Sequence, residues 1–465
     1  MFYEIQPSGK KAIIVSDGSS LTYKELSENI KSIGEGIAER QLAFCLCENS
    51  PASVVGYLAC LNKKTVPLLI DKNLNTILLN NLLHCYQPHY LYVPEDMASL
   101  FQEYEVQAKF MNYVLLSRDM KENVELYDEL ALLLTTSGST GSPKLVRQSY
   151  KNIQSNAEAI AEYLDLTEEE RPITTLPMNY TYGLSIINSH LQAGATILMT
   201  DCSMNMKSFW DFFKAEGATS FGGVPFTYEM LKKIRFFKMD LPTLRYMTQA
   251  GGKLSPELHK EFAQWCKEKG KSFIVMYGQT EATARMSYLP GDKSLEKYGS
   301  MGRAIPGGKF ILVDTVGNEI IAPETVGELI YEGDNVTLGY AECPSDLAKG
   351  DERGGRLETG DMAKFDSDGY YYIVGRKKRF LKIFGNRVNL DEIDALIKRT
   401  FADIECASIG EDDHMKTYIT RKDLTNEVRR KLAATTHLSE SAFEVVYIEK
   451  LPKNEAGKIL YKDLN

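Results

Sequence analysis

Long apolar runs are missing from this chain of 465 residues. No stretch approaches the ~20 apolar residues that a membrane-spanning helix needs, and the start MFYEIQPSGKK has no signal-peptide core. An excess of basic charge is missing as well. The net charge of −9 argues against a nucleic-acid or membrane-surface protein, because phosphates attract basic faces, although a local basic groove stays open. The eight cysteines, at 45, 47, 60, 85, 202, 266, 343 and 406, include no CxxC pair, and the six histidines form no HExxH spacing. A cysteine- or histidine-based metal site is therefore not expected. Cys45-Leu46-Cys47 alternates like a strand, and its thiols read as buried side chains in a reducing cytosol. Internal repeats and low-complexity tracts are absent too. These absences leave a cytoplasmic globular protein with no membrane span and no nucleic-acid partner.

What is present has α/β texture. A hydrophobic content of 43% and a charged content of 25% are ordinary for a folded chain, and the length suits about two to four domains. Apolar runs alternate with helical patterns. Leu132–Thr135 reads as a buried strand, and Ile153, Ala157, Ile160 and Leu164 recur as one helix face. Ser255-Pro256-Glu257 has the cap, the N1 proline and the first-turn acid of a helix start, and Gly270 ends that helix. Phe273–Met276 then runs as a strand into the turn Tyr277–Glu281. From Lys309 the texture changes to short strands, Phe310–Val313 and Glu328–Tyr331, around the turn Val316-Gly317-Asn318. Gly375–Arg379 is charged and poor in apolar residues, which makes it the candidate linker to a small α+β domain.

One run stands apart. TTSGSTGSPK, residues 135–144, sets eight hydroxyl or glycine residues beside one proline and one lysine. It is not a Walker A loop, whose GxxxxGK[ST] spacing differs. Composition alone would allow a flexible linker. Yet converging amides, hydroxyls and Lys144 suit a polyphosphate. A strand before it and a helix after it would place it at a sheet's carboxyl edge, where ligands bind.

Thr136–Lys144 resembles the phosphate loop of the adenylate-forming superfamily, which includes acyl- and aryl-CoA synthetases, peptide-synthetase adenylation domains and luciferases. LTYKEL (21–26), GGKL (251–254), YGQTEAT (277–283), GSMGRAIPG (299–307), GELIYEGDNVTLGY (327–340), ETGD (358–361), GRKKRFLKIFGNRV (375–388) and LPKNEAGK (451–458) follow in the family's order. The resemblance implies a large N-terminal domain of layered sheets and helices, residues 1–375, with a small β-rich part at about 309–375. A small mobile α+β lid, 376–465, would follow, hinged near 378. Lys378 takes the hinge position, where many synthetases carry aspartate and luciferases lysine.

The resemblance also implies a two-step reaction. A carboxylate attacks the α-phosphate of ATP to give an acyl-adenylate and pyrophosphate, and a thiol then displaces AMP. Thr136, Ser137, Gly138, Ser139, Thr140, Gly141 and Lys144 would hold the phosphates. Glu281 matches the magnesium-binding glutamate and Thr280 a phosphate-contacting hydroxyl. Tyr277 would lie against the adenine, with Gly251, Gly252, Lys253 and Gly278 also at the nucleotide. Asp361 would accept the ribose hydroxyls, and Arg376 would contact the nucleotide. Lys458 would bridge the acid and the α-phosphate, and Lys382 would enter the site for thioester formation.

The acid pocket falls on LPMNYTYGLS (176–185), with Tyr180, Thr181, Tyr182 and Gly252. Amino-acid-activating members place an aspartate where this chain has Thr181, so an α-amino acid is disfavoured. Tyr182 could stack on an aryl acid, cap an aliphatic tunnel or pack as core. CoA and a carrier protein's phosphopantetheine both remain open as the acceptor. A kinase or ATPase would also use a Ser/Gly/Lys loop, but no kinase HRD/DFG set is present. A non-catalytic nucleotide-binding module would be expected to have lost Lys458 or Glu281.

Overall fold

The computed structural model describes residues 1–119, 124–135, 144–383, 386–411, 413–436, 438–453 and 459–464, with the backbone alone at 378, 380, 382, 386 and 387. The chain folds into two compact units. The first comprises Met1–Phe310 and Tyr331–Leu357, and the second Ile311–Ile330 and Glu358–Asn465.

Two large sheets, of eight and nine strands, build the first unit. In the eight-stranded sheet, Leu42–Cys47 pairs in parallel with Val66–Asp71 and Tyr90–Pro94, and Val66–Asp71 pairs in parallel with Leu130–Thr135. Parallel strands covered on both faces read as continuous apolar runs, and every residue of LAFCLC (42–47) is buried. The helix Pro51–Asn62 is apolar on all sides and buried nearly throughout. It joins one core with side chains of both sheets, among them Cys45, Leu132, Ile197 and Met199. Cys45, Cys47 and Cys60 are buried there as free thiols. The nine-stranded sheet carries the parallel ladder of Ser220–Gly223, Tyr246–Gln249 and Ser272–Tyr277. The helix Pro256–Glu268 starts as expected, with Ser255 accepting from Leu258 N at 3.2 Å.

The second unit begins in a four-stranded sheet made by Gly308–Val313, Gly327–Gly333, Arg356–Phe365 and Tyr371–Arg376. Its turn at Val316–Asn318 forms as expected, with Asp314 Oδ1 accepting from Val316 N and Asn318 N at 2.9 Å each. A three-stranded sheet, Cys406–Glu411, His414–Ile419 and Phe443–Tyr447, packs with the helices Leu390–Thr400 and Thr425–Thr436 around a separate apolar core.

The charged segment after Gly375 has regular backbone. It runs from the strand Tyr371–Arg376 through a turn at Lys377–Arg379 into the strand Phe380–Ile383. Arg379 is buried, bonded to Asp391 and Asp394 at 2.7 Å each and to Ser408 O at 2.5 Å. Partners distant in sequence absorb its charge. Among the described residues no helix is long and apolar enough to cross a membrane.

Candidate active site

The Ser/Gly-rich run is flanked by two strands rather than by a strand and a helix. Leu130–Thr135 and Leu145–Ser149 pair antiparallel, with Thr135 opposite Leu145. The helix starts only at Tyr150, where Ser149 and Asn152 form a capping box. Thr136, Ser137, Gly138, Ser139, Thr140 and Gly141 lie outside the described residues. Lys144 lies at the foot of the second strand, and its Nζ is 2.6 Å from Glu342 Oε1 and 5.5 Å from the centre of the Tyr340 ring.

Tyr340 connects that lysine to the turn after Ser272–Tyr277. Its hydroxyl donates to Glu281 Oε1 at 2.7 Å, while Arg353 lies 4.8 Å from its ring centre. Burial, then the Glu281 carboxylate, pushes the Tyr340 hydroxyl up to about 12, so it stays protonated and donates. The backbone of Glu281 is fixed too. Its carbonyl accepts from Thr337 Oγ1 at 2.9 Å, Thr337 N at 3.0 Å and Arg353 Nη1 at 3.0 Å.

Two features show how tightly this turn is wound. A Cβ on Gly278 would sit 1.7 Å from the carbonyl oxygen of Ala284, so only glycine fits. Thr283 has a φ of +65°, a conformation that costs a β-branched residue about 1–3 kcal/mol. Its hydroxyl donates to Asn335 O at 2.7 Å, and its carbonyl accepts from Thr181 Oγ1. Those bonds hold the strained backbone in place. Thr280 opens the single turn Thr280–Ala282, and Gln279 Nε2 donates to the hydroxyl of Tyr277 at 3.1 Å.

A second wall forms where the strand Tyr246–Gln249 ends. Gly251 has a φ of +80°, and a Cβ there would lie 2.7 Å from the Tyr180 hydroxyl. Gln249 Nε2 donates to Gly252 O at 2.9 Å, and Lys253 is exposed beside it. Tyr180 precedes the helix Thr181–Gln192. Tyr182 faces inward: its hydroxyl donates to Thr248 O at 2.9 Å, and the guanidinium of Arg285 lies 5.1 Å from its ring centre. Tyr182 is buried among Ile160, Ile186 and Tyr246.

In the second unit, Asp361 and Arg376 are opposite each other in a strand pair, with Arg376 Nε 3.7 Å from Asp361 Oδ1. Asp361 is buried and Arg376 exposed. The Lys378 backbone lies in the turn Lys377–Arg379, and that of Lys382 in a strand opposite Arg387. Lys458 lies outside the described residues. The pairing of Arg356–Phe365 with Tyr371–Arg376 ends at Arg376, opposite Asp361.

The described residues contain no group of three His, Cys, Asp or Glu that could enclose a metal. A fixed single carboxylate such as Glu281 suits Mg2+, which is held through one or two carboxylates with phosphates and water. Tyr340, Arg353 and Arg285 carry this geometry without having been singled out from the sequence. The motif GELIYEGDNVTLGY ends on Tyr340, which was the one available signal.

The model of the AMP-binding enzyme family matches residues 4–341. The chain is 29% identical over 353 residues to oxalate–CoA ligase of Arabidopsis thaliana, covering 71% of this chain and 66% of that protein. It is 25% identical over 470 residues to 2-succinylbenzoate–CoA ligase of Listeria monocytogenes, covering 98% and 96%. Among solved structures, O-succinylbenzoate CoA synthetase of Bacillus subtilis in complex with AMP superposes with a TM-score of 0.80 at 21% identity, covering 99% of this chain and 96% of that one.

Proposed function

The chain belongs to the AMP-binding enzyme family, and from that premise we propose the acid and the acceptor of an ATP-dependent acid–thiol ligase: an aryl acid and coenzyme A. Two relatives that match along nearly their whole length support both choices by name, 3-hydroxybenzoate–CoA ligase of Aromatoleum at 24% identity and the Listeria 2-succinylbenzoate–CoA ligase at 25%. Thr181 carries no negative charge to pair with an ammonium, which disfavours an α-amino acid. The single observation that carries the activity is the Lys144–Tyr340–Glu281 cluster at the foot of the Ser/Gly-rich run. It sets a cation and a fixed carboxylate together, as binding a metal–polyphosphate requires.

The residues take these roles. Lys144 and the run 136–141 hold the β- and γ-phosphates, with the Thr280 hydroxyl beside them. Mg2+, held through Glu281, would offset phosphate charge. The nucleotide base lies against Tyr277 near Gly251, Gly252, Lys253 and Gly278, and the ribose hydroxyls bond to Asp361, with Arg376 at the nucleotide. Lys458 holds the acid's carboxylate against the α-phosphorus. An acid oxygen bonds to that phosphorus as the bond to the bridging oxygen breaks, and pyrophosphate leaves. With Lys378 as the hinge, Lys382 serves the second step: the thiol sulfur bonds to the acyl carbon as the bond from that carbon to the phosphate oxygen breaks, and AMP leaves. Free buried thiols at Cys45, Cys47 and Cys60 suit a cytoplasmic enzyme.

Carboxylate-dependent ATP–pyrophosphate exchange, run with magnesium and without thiol across aryl, fatty and amino acids, tests this function. Exchange with an aryl acid, followed by AMP and a CoA thioester once CoA is added, is the expected result. ADP or orthophosphate instead would overturn it, and transfer to carrier-protein phosphopantetheine alone would replace the acceptor. Tyr340→Phe removes a hydrogen bond to a charged group, worth about 1.5–3 kcal/mol, and is expected to raise the Mg2+ concentration for half-maximal exchange roughly tenfold. An unchanged Mg2+ dependence would remove Tyr340 from the metal seat.

A further inference from the structure

Glu281 is held at both ends by one arginine. Its carbonyl oxygen accepts from Thr337 Oγ1 at 2.9 Å, from Thr337 N at 3.0 Å and from Arg353 Nη1 at 3.0 Å. A carbonyl oxygen has two lone pairs, so Thr337 alone would satisfy it, and the guanidinium is a third donor. Arg353 also donates to Thr337 Oγ1, so that hydroxyl receives one hydrogen bond and passes on another. At the other end, the guanidinium lies 4.8 Å from the centre of the Tyr340 ring, and the Tyr340 hydroxyl donates to Glu281 Oε1 at 2.7 Å.

The loop that presents Arg353 is fastened on both sides. Asp351 Oδ1 accepts from Arg353 N and Gly354 N at 2.9 Å each, and Gly354 and Gly355 turn the chain with φ of +56° and +75°. Glu352 pairs with buried Arg147, and its N donates to Leu338 O at 2.9 Å. The guanidinium therefore reaches Glu281 from a set backbone. That support matters beside Thr283, whose φ of +65° persists only where neighbours hold it.

Arg353 reaches the carboxylate indirectly, and the chemistry depends on that. A guanidinium facing a carboxylate tends to pair with both of its oxygens. Here Tyr340 stands between them. Burial raises the Tyr340 hydroxyl, and the guanidinium opposes that rise, which makes the hydroxyl a stronger donor to Oε1. Among the described residues no donor meets Oε2 of Glu281. One oxygen is fixed, and the other is left for a hard cation.

We propose that Arg353 is a positioning residue that sets the Glu281 carboxylate for a divalent cation, through the backbone carbonyl and through Tyr340, an assignment that rests on the ATP- and Mg2+-dependent activity proposed above.

The test compares ATP binding with and without a metal, on the full chain and with no acid present. Calorimetry with a chelator gives the dissociation constant of bare ATP, and water-proton relaxation with Mn2+ gives that of Mn·ATP. The ratio of the two measures the cation's share of binding. Arg353→Ala is expected to shrink that ratio at least about tenfold, the effect of losing a hydrogen bond from a charged group, while the affinity for bare ATP stays close to the parent value. Arg353→Lys, which keeps the charge but not the planar fork, should restore part of the ratio. The Mg2+ concentration for half-maximal exchange should rise in step, and CoA transfer from preformed adenylate should not change. An unchanged ratio in Arg353→Ala would overturn the inference. So would an equal loss with and without the cation, which is what poor folding or a direct phosphate contact would produce. Wild-type enzyme that shows the ratio but exchanges with no acid would overturn the ligase activity and not the role of Arg353.

Discussion

Lys458→Ala is expected to slow acyl-adenylate formation by at least about 100-fold, while thioester formation from a preformed adenylate stays nearly intact. The first step brings two anions together, the acid's carboxylate and the α-phosphate, and charge builds on both as the new bond forms. A lysine between them draws the reactants together and stabilises that charge. Once the adenylate exists, the charge has left with pyrophosphate, and the second step has no comparable need. Lys458 is outside the described residues, so its assignment rests on LPKNEAGK and on this chemistry. Single-turnover release of pyrophosphate, measured beside CoA transfer from synthetic adenylate, separates the steps. Equal losses in both would remove Lys458 from its role. Lys382→Ala should show the reverse pattern, and unchanged thioester formation would remove Lys382 from the second step.

Gly278→Ala should bring exchange down to background. The added Cβ would lie 1.7 Å from the carbonyl oxygen of Ala284, 2.7 Å from its carbon and 2.9 Å from Arg285 Cα. All three are backbone atoms, so no side chain can swing aside. Overpacking of this kind costs about 1–3 kcal/mol in stability. The activity loss is larger, because the displaced turn carries Thr280, Glu281 and Arg285 together, and small misplacements of reacting groups cost much in rate. Thermal unfolding measured beside exchange divides the effects: a variant that melts close to the parent yet exchanges nothing places the damage at the turn. Retention of a tenth of the activity or more would mean that the geometry of the turn does not govern the reaction.

The motifs of the site were legible in sequence because each must carry particular groups at a fixed spacing. The architecture between them was less so. The strand Leu145–Ser149 escaped because Arg147 and Gln148 break its apolar run, yet all five residues are buried. The partners that make Arg147 tolerable, Glu352 and carbonyls between Leu338 and Gly350, lie about two hundred positions away. Arg379 misled in the same way, as a charge that reads as exposed until its carboxylates are found. Tyr182 offered three readings because an aromatic on a helix gives no direction in sequence; its hydroxyl donates to Thr248 O and its ring lies against Arg285. Arg285 passed unnoticed because its partners, Ser185, Tyr163 and Met276, sit on other elements of the chain.

The strand Gly339–Ala341 lies alongside Leu145–Ser149, with Tyr340 opposite Val146. The residue that steadies the Glu281 carboxylate therefore shares a hydrogen-bond ladder with the strand that begins beside Lys144. If nucleotide draws Lys144 away from Glu342 and shifts that ladder, Glu281 moves with Tyr340, and the affinity for the cation changes. Thermodynamic reciprocity then requires the cation to change the affinity for nucleotide by the same factor. An enzyme in which that shift occurs would take up its nucleotide and cation as a cooperative pair.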